Sequence, residues 1–522
     1  MSKSKVLLST FKMALATFCS RILGLVREQV MAAYFGASGL TDAFLVAYRI
    51  PNLLRDLFAE GAFSSAFVPT FVEANQEDPT KARKLFWSLF ILLGSLTLVL
   101  SGFIFIFSPE IINLFAPSFK VDSEKFETTV MLTRIMSPFL CFVSLAALFM
   151  GALNSLKVFF IPSIAPAFFN ISMIASMILF PSLFVEMNIP LIYSLGAGVF
   201  IGGIIQAVIQ IPWLIKKGFA PTRPEKLFTR ESKKVFKLLG PGLIGFAATQ
   251  INLIVNTILA SGTLVGAVSW LSYAFRMFQL PVGILSVSIG NSNLVHFSDS
   301  WKSGDKEEAK KTLASSFFLS VFLVLPPMIG LLIFNDDIIR LIFERGKFDS
   351  YATTQTAFAL KWYALGLPFY GIYKIFVPTF YAIDRQKIPV YTSILSILLN
   401  IIFCLSLTPI YGFEVLALGT TVSMFVNSGI QTFILHKDLN LKWNHFFNLR
   451  LLKVILSASM TFVFCFELDK LIPTPTSLFE SIFLLSLRLG SVVICYGVLV
   501  FLFGERSVVL SFLSKIGNIS KK

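Results

Sequence analysis

Residues 87–107 read WSLFILLGSLTLVLSGFIFIF, twenty-one consecutive positions without a charged side chain. About 20 mostly apolar residues in a helix cross the hydrocarbon of a bilayer, so this run alone predicts one membrane span. Lys81, Arg83 and Lys84 stand before it and Glu110 after it. The same ruler predicts spans near 7–35, 40–72, 86–109, 128–153, 158–186, 190–215, 235–261 and 263–297. Six more follow near 312–334, 353–381, 388–411, 413–436, 449–471 and 480–503, fourteen in all. Composition agrees. Of 522 residues, 55% are hydrophobic, only 14% are charged and 57 are phenylalanine, with a mean hydropathy of +0.78. No single soluble core hides that much apolar surface. The reading is an all-α polytopic membrane protein, which excludes a soluble enzyme.

The net charge of +15 would suggest nucleic acid in a soluble chain. Here its placement argues otherwise. Lys81, Arg83 and Lys84 join spans 2 and 3; Lys216, Lys217, Arg223, Lys226, Arg230, Lys233 and Lys234 join spans 6 and 7. Lys302, Lys306, Lys310 and Lys311 join spans 8 and 9, Arg385 and Lys387 spans 10 and 11, Lys437 and Lys442 spans 12 and 13, and Lys521 and Lys522 end the chain. The alternate loops are nearly free of basic residues or mix them with acids. Basic loops resist translocation, so they and both termini are expected in the cytoplasm, with no nucleic acid as partner. Lys12, Arg21 and Arg27 interrupt the first apolar stretch, so no cleavable leader is expected.

The chain also resembles itself at a fixed distance. Ala47-Tyr48-Arg49-Ile50 matches Ala274-Phe275-Arg276-Met277, and Ile161-Pro162 matches Ile388-Pro389, both 227 positions apart. The expectation is a duplicated six-helix lobe, the lobes related by a pseudo-two-fold axis along the membrane normal. This divides the chain into an N-terminal lobe at 1–217, a basic cytoplasmic linker at 218–234 and a C-terminal lobe at 235–437. Two appended helices at 449–503 and a cytoplasmic tail at 504–522 complete it.

Catalytic signatures are missing or empty. Gly240-Pro241-Gly242-Leu243-Ile244-Gly245 satisfies G-x-G-x-x-G but lies inside a predicted span with no strand before it, so it reads as a helix break or close packing. The three histidines and five cysteines form no ligand cluster, and no metal or cofactor is expected. What stands out is charge inside the membrane, where an ionised group costs several kcal/mol unless paired or wet. The first two spans hold Arg21, Arg27, Glu28, Asp42, Arg49, Arg55, Asp56 and Glu60. Arg21 and Glu28, seven apart, share a helix face and are candidates to pair. Arg134, Arg276, Lys361, Lys374 and Arg488 fall in spans without interior carboxylates. An interior that is positive on balance must line water or await an anion.

Each cation has a plainer alternative. Arg488, outside the repeat, reads as structural or snorkelling. Lys361 and Lys374 are open between snorkelling and a cavity, and Arg49 between an interface and a ligand. Arg276 is mid-span and reads as functional. Around Pro51 the helix is expected to open, where freed backbone groups could help bind an anion. The stretch Asp337–Phe348 has helical apolar spacing, is too short to span, and is expected to lie in the outer interface.

Ser20-Arg21-Ile22-Leu23-Gly24-Leu25-Val26-Arg27-Glu28, Phe35-Gly36-Ala37, Thr41-Asp42-Ala43-Phe44, Pro51-Asn52-Leu53-Leu54-Arg55 and Phe58-Ala59-Glu60-Gly61-Ala62-Phe63-Ser64 resemble the MurJ (MviN) family. These are bacterial lipid II flippases of the multidrug/oligosaccharidyl-lipid/polysaccharide exporter superfamily. The likeness is dense over about the first 75 residues. It continues through Asn154, Pro162, Pro166, Asn170, Tyr273-Ala274-Phe275-Arg276 and Gly346-Lys347-Phe348. It implies fourteen helices in two lobes around a cationic cavity, in the bacterial inner membrane. It further implies that Arg21, Arg27 and Arg276, with Arg55, meet the pyrophosphate and sugar–peptide head of lipid II. Asp42, Asn52 and Glu60 would organise the gate and balance charge, and Arg49, Lys361 and Lys374 are further cavity candidates. Spans 13 and 14 would hold the polyprenyl tail. Lipid II, membrane lipids and wall-synthesis proteins are the implied partners; the coupling ion stays open. Phe275 and Gln279 stand where some members carry acids. The rival reading is another exporter of the superfamily, an oligosaccharide-lipid flippase or a cation-coupled drug antiporter.

Overall fold

The computed structural model describes residues 3–59, 62–224, 226–472, 475 and 477–506. All regular structure among them is helical, and helices occupy most of the described residues in each of the fourteen expected stretches. Eight helices, counted across short breaks, are long and apolar enough to cross a membrane by length and composition alone. The others are interrupted by charge, proline or polar side chains. Stretch 128–153 is Ser123–Met136 and Phe139–Ser155, parted at Ser137 and Pro138; stretch 353–381 is Ser350–Ala364 and Leu367–Ala382, parted at Gly366. A proline has no N–H to donate and its ring crowds the preceding turn, which explains breaks beside Pro138 and Pro368. Beyond Pro281 the helix Ala267–Pro281 passes through a widened turn, Val282–Ser286, into Val287–Lys302. The expected opening at Pro51 is not seen: helix Gly39–Ala59 runs through it.

The repeat is visible in the element boundaries. Shifting by 227 residues carries Lys3–Phe35 to within one residue of Arg230–Ser261 at its end, and Pro79–Ile106 onto Lys306–Ile333. The short helix Ser108–Phe115 lands on Asn335–Phe343 to within a residue. Even the helix starts repeat. Asp78 caps the first of these long helices through the Thr80 amide, and Asp305, its equivalent, caps the second through the Glu308 amide. Asp122 and Asp349 are likewise equivalent caps, on Lys125 and Ala352. Such caps contribute about 1 kcal/mol each. The Thr80 amide and hydroxyl also hold the Asp78 carboxyl below the usual carboxylate range.

The chain packs as two compact units, residues 1–269 with 345–348, and residues 270–344 with 349–522. The first unit is built on aromatic packing: Phe63, Phe67, Phe71 and Phe86 are fully buried and stack onward to Phe149 and Phe219. It includes helix Arg230–Ser261, which the repeat assigns to the second half. Lys234 ties that helix to Glu73 at 2.5 Å.

Two equivalent turns of the repeat take part in the first unit. After Ser108–Phe115 comes the tight turn Pro117–Val121, anchored by buried Phe119. Its Ser118 Oγ donates to the Ser261 carbonyl at 2.7 Å and lies 3.1 Å from Ser261 Oγ, at the end of helix Arg230–Ser261. The equivalent strap Arg345–Phe348, anchored by buried Phe348, lies on the end of helix Lys3–Phe35, where the Lys347 amide donates to the Ala33 carbonyl at 2.9 Å. Here the backbones nearly touch. Gly36 (φ +68°) and Gly346 (φ +58°) adopt left-handed conformations that favour glycine. A Cβ on Gly36 would lie 2.4 Å from the Lys347 oxygen, and one on Gly346 would lie 2.2 Å from the Ala33 oxygen.

In the second unit the appended helices Leu449–Asp469 and Leu478–Leu502 pack on Lys306–Ile333, with Tyr496 Oη donating to the Phe322 carbonyl at 3.0 Å. Their far faces expose Val463, Phe464, Phe483 and Leu487. The short helix Asn335–Phe343 departs from expectation. Ile338, Ile339 and Phe343 are buried against protein, so its apolar face is not simply immersed in lipid.

Candidate functional site

Helix Lys3–Phe35 carries Arg21 and Arg27, and the two differ. Arg21 is exposed and has no hydrogen-bond or ion-pair partner among the described residues. Arg27 is largely buried: Nη2 meets Glu28 Oε1 at 2.5 Å and Nη1 donates to Asn170 Oδ1 at 3.1 Å. Asn170 in turn donates to the Ser20 carbonyl at 3.1 Å, so one amide spans both ends of the Arg21–Arg27 stretch. The expected pairing of Arg21 with Glu28 is therefore corrected. The adjacent arginine reaches Glu28 first, and Asn170 fixes its direction.

Asp42 forms the most complete constellation. Its carboxylate is buried and accepts from the Gly266 amide at 2.7 Å, the Ser269 amide at 2.9 Å and Ser269 Oγ at 2.6 Å. Those amides begin helix Ala267–Pro281, so Asp42 caps a helix 227 residues away in sequence. A carboxylate suits that end because the orphan N–H groups and the helix dipole both favour negative charge. Lys125 supplies the counter-charge, with Nζ 3.5 Å from Asp42 Oδ2 and 3.9 Å above the Phe119 ring. The acid thus balances a lysine and a helix terminus and not an arginine. Lys125 was missed in the sequence because it sits beside Asp122 and Glu124, in a loop that reads as solvated.

Arg49 donates to the Leu253 carbonyl at 3.3 Å and to Thr257 Oγ1, so packing against helix Arg230–Ser261 accounts for it. Asn52, one turn on, is half-buried and engaged. Glu60 lies outside the described residues, and the Arg55 side chain outside the described side chains.

In the second unit Arg276 is exposed on Ala267–Pro281 and engaged. Beside it Phe275 packs on Phe278 and Tyr363, with ring centroids 5.7 and 5.3 Å away. Lys361 is exposed. Lys374 is half-buried at a close helix crossing, where a Cβ on Gly290 would lie 2.4 Å from its carbonyl oxygen. Arg488 corrects the expectation of interior cations without acids. It is buried, with Nη1 2.8 Å from Asp337 and Nε 2.9 Å from Asp469, acids that the sequence places at or just beyond span ends. It is structural, as expected, but through ion pairs and not by snorkelling.

The family profile described as "Lipid II flippase MurJ" matches residues 31–484. A probable lipid II flippase MurJ of Bdellovibrio bacteriovorus is 35% identical over 441 residues, 83% of each chain. The lipid II flippase MurJ of Burkholderia cenocepacia is 34% identical over 417 residues, 79% of this chain and 80% of that one. A solved lipid II flippase MurJ in an inward closed conformation superposes with TM-score 0.78 and 27% identity, over 95% of this chain and 99% of the other. An inward-facing multidrug resistance MATE family transporter of the MOP superfamily has TM-score 0.64 at 12% identity, over 81% of this chain and 94% of that one, and so shares the fold. On the family profile and these relatives, the chain belongs to the MurJ family.

Proposed function

We propose that this chain is a transporter that moves the lipid II head group from the cytoplasmic to the outer leaflet of the bacterial inner membrane for cell-wall synthesis. Family membership, together with an exposed arginine within a span of each unit, carries the reading. Arg21 and Arg276 are the cations that a pyrophosphate would meet first, because a planar guanidinium can hold two phosphate oxygens at once. Arg27, held by Glu28 and Asn170, adds a second, oriented positive charge to the helix of Arg21. Arg55 and Glu60 keep the roles that the family resemblance gives them.

The head must cross about 30 Å of hydrocarbon while its tail stays in lipid. Alternating access meets that demand: the halves rock, the Asp42 cap closes the outer side, and the appended helices shelter the tail. The basic loops orient both termini inward. With the interior negative, each net negative charge moved outward gains about 2.3 kcal/mol per 100 mV, so the potential favours export.

The test is Arg276→Ala and Arg276→Lys in cells depleted of their own flippase. The expected result is loss of growth and of outward lipid II with Ala, and partial rescue with Lys. Normal export by the Ala variant at normal expression would remove Arg276 from the mechanism.

A further inference from the structure

Resting on the flippase reading above, we infer that Asn170 is a positioning residue for lipid II export: it fixes where the first helix presents the positive charge of Arg21 and Arg27 to the head group. Asn170 lies on helix Phe160–Glu186, inside an apolar stretch, and is 7% exposed. An amide in such surroundings is costly unless its polar atoms are met. Both arms are met, and by different parts of helix Lys3–Phe35. Nδ2 donates to the Ser20 carbonyl at 3.1 Å, and Oδ1 accepts from Arg27 Nη1 at 3.1 Å. Ser20, Gly24 and Arg27 follow the i, i+4, i+7 spacing of one helix face. Gly24, between the other two, has no side chain, and a Cβ there would already touch Asn170 Nδ2 at 3.6 Å. The amide therefore sits over Gly24 and bridges the turns on either side of it.

The contact has a polarity that packing alone does not require. An amide donates only from nitrogen and accepts only at oxygen. The Ser20 carbonyl demands the first and the Arg27 guanidinium the second, so the amide has one orientation. Met173, one turn on, brings Sδ to 3.8 Å from the same Nη1, and Glu28 meets Nη2 at 2.5 Å. The two η nitrogens are thus held from two helices, which fixes the plane of the guanidinium. The carbonyl that Asn170 grips belongs to the residue before Arg21, so the stretch that carries the exposed Arg21 is tied down at both ends. The residue type matters as well. Glu28 already offsets Arg27, and a carboxylate at position 170 would turn the cluster negative and repel a pyrophosphate. A neutral amide orients the guanidinium without adding that repulsion.

The experiment measures lipid II export per folded molecule by the full-length chain and its Asn170→Ala, Asn170→Gln and Asn170→Asp variants in vesicles, with unfolding temperature in detergent alongside. Ala should raise the lipid II concentration for half-maximal export at least about tenfold, the scale of a lost hydrogen bond to a charged group. Gln should recover part of that loss, and Asp should raise the concentration further. A residue that only packs helices would lower the unfolding temperature and leave the half-maximal concentration unchanged. That result overturns the assignment and leaves the flippase reading intact. Asn170→Ala combined with Arg27→Ala should lose less than the product of the two single losses, because the amide acts in part through that arginine. A full product overturns the assignment too. Should the Ala variants fail to fold, Gln and Asp carry the test, and half-maximal concentrations equal to that of the unmodified chain overturn it. If the unmodified chain itself moves no lipid II, the flippase reading falls and the role of Asn170 falls with it.

Discussion

Arg49 and Arg276 hold the same place in the two halves of the repeat, yet they have taken different employment. Arg49 hands its guanidinium to the Leu253 carbonyl and Thr257; Arg276 stays exposed. Positions 42 and 269 are equivalent in the same way, one a carboxylate and the other a hydroxyl that bonds to it. Duplication supplies every group twice. Packing then gives the two copies different surroundings, which is why sequence position alone does not assign a role.

The contrast breaks first at the Asp42 pair. Asp42→Ala strips Lys125 of its counter-charge and should cost about 3–5 kcal/mol, against about 1 kcal/mol for Ser269→Ala. Thermal unfolding in detergent reads both, and equal shifts would erase the distinction between the two positions. The arginine pair comes next. Arg276→Ala should slow lipid II export per folded molecule about 10- to 100-fold, the value of one charge-assisted hydrogen bond of about 1.5–3 kcal/mol. Arg49→Ala should do the reverse, lowering stability by about 1–2 kcal/mol with export per folded molecule unchanged. Loss of export with intact stability in Arg49→Ala would return that residue to the cavity. The smallest effect is expected at Arg21→Lys, which keeps the charge and gives up the planar fork. A several-fold rise in the lipid II concentration for half-maximal export is the readout, and an unchanged value would remove the phosphate contact.

The helical stretches were legible because hydrocarbon imposes one length on every crossing, and the repeat was legible because Ala47-Tyr48-Arg49-Ile50 returns as Ala274-Phe275-Arg276-Met277 at a constant distance. The partners of buried charges were not. Asp337 and Asp469 lie at span ends, where an acid looks solvated, and only the folded chain brings Arg488 to them. Lys125 was hidden the same way by Asp122 and Glu124. One clue was available: shifting Asp42 by 227 residues lands on Ser269, its own hydrogen-bond donor. The breaks at Ser137-Pro138 and Gly366 were also missed, since a hydropathy ruler averages across them.

The two equivalent turns carry a consequence for how the chain is made. Ser118 has already been synthesised when Ser261 emerges, so that contact can form at once. The end of the first helix must instead wait for Gly346 and Lys347, more than 300 residues later. At about 5–20 residues per second the delay is roughly a quarter of a minute to a minute. During that interval Ser38 and Thr41 can already hold the Phe35 and Gly36 carbonyls, but the Ala33 carbonyl still lacks the Lys347 amide that it accepts in the folded chain.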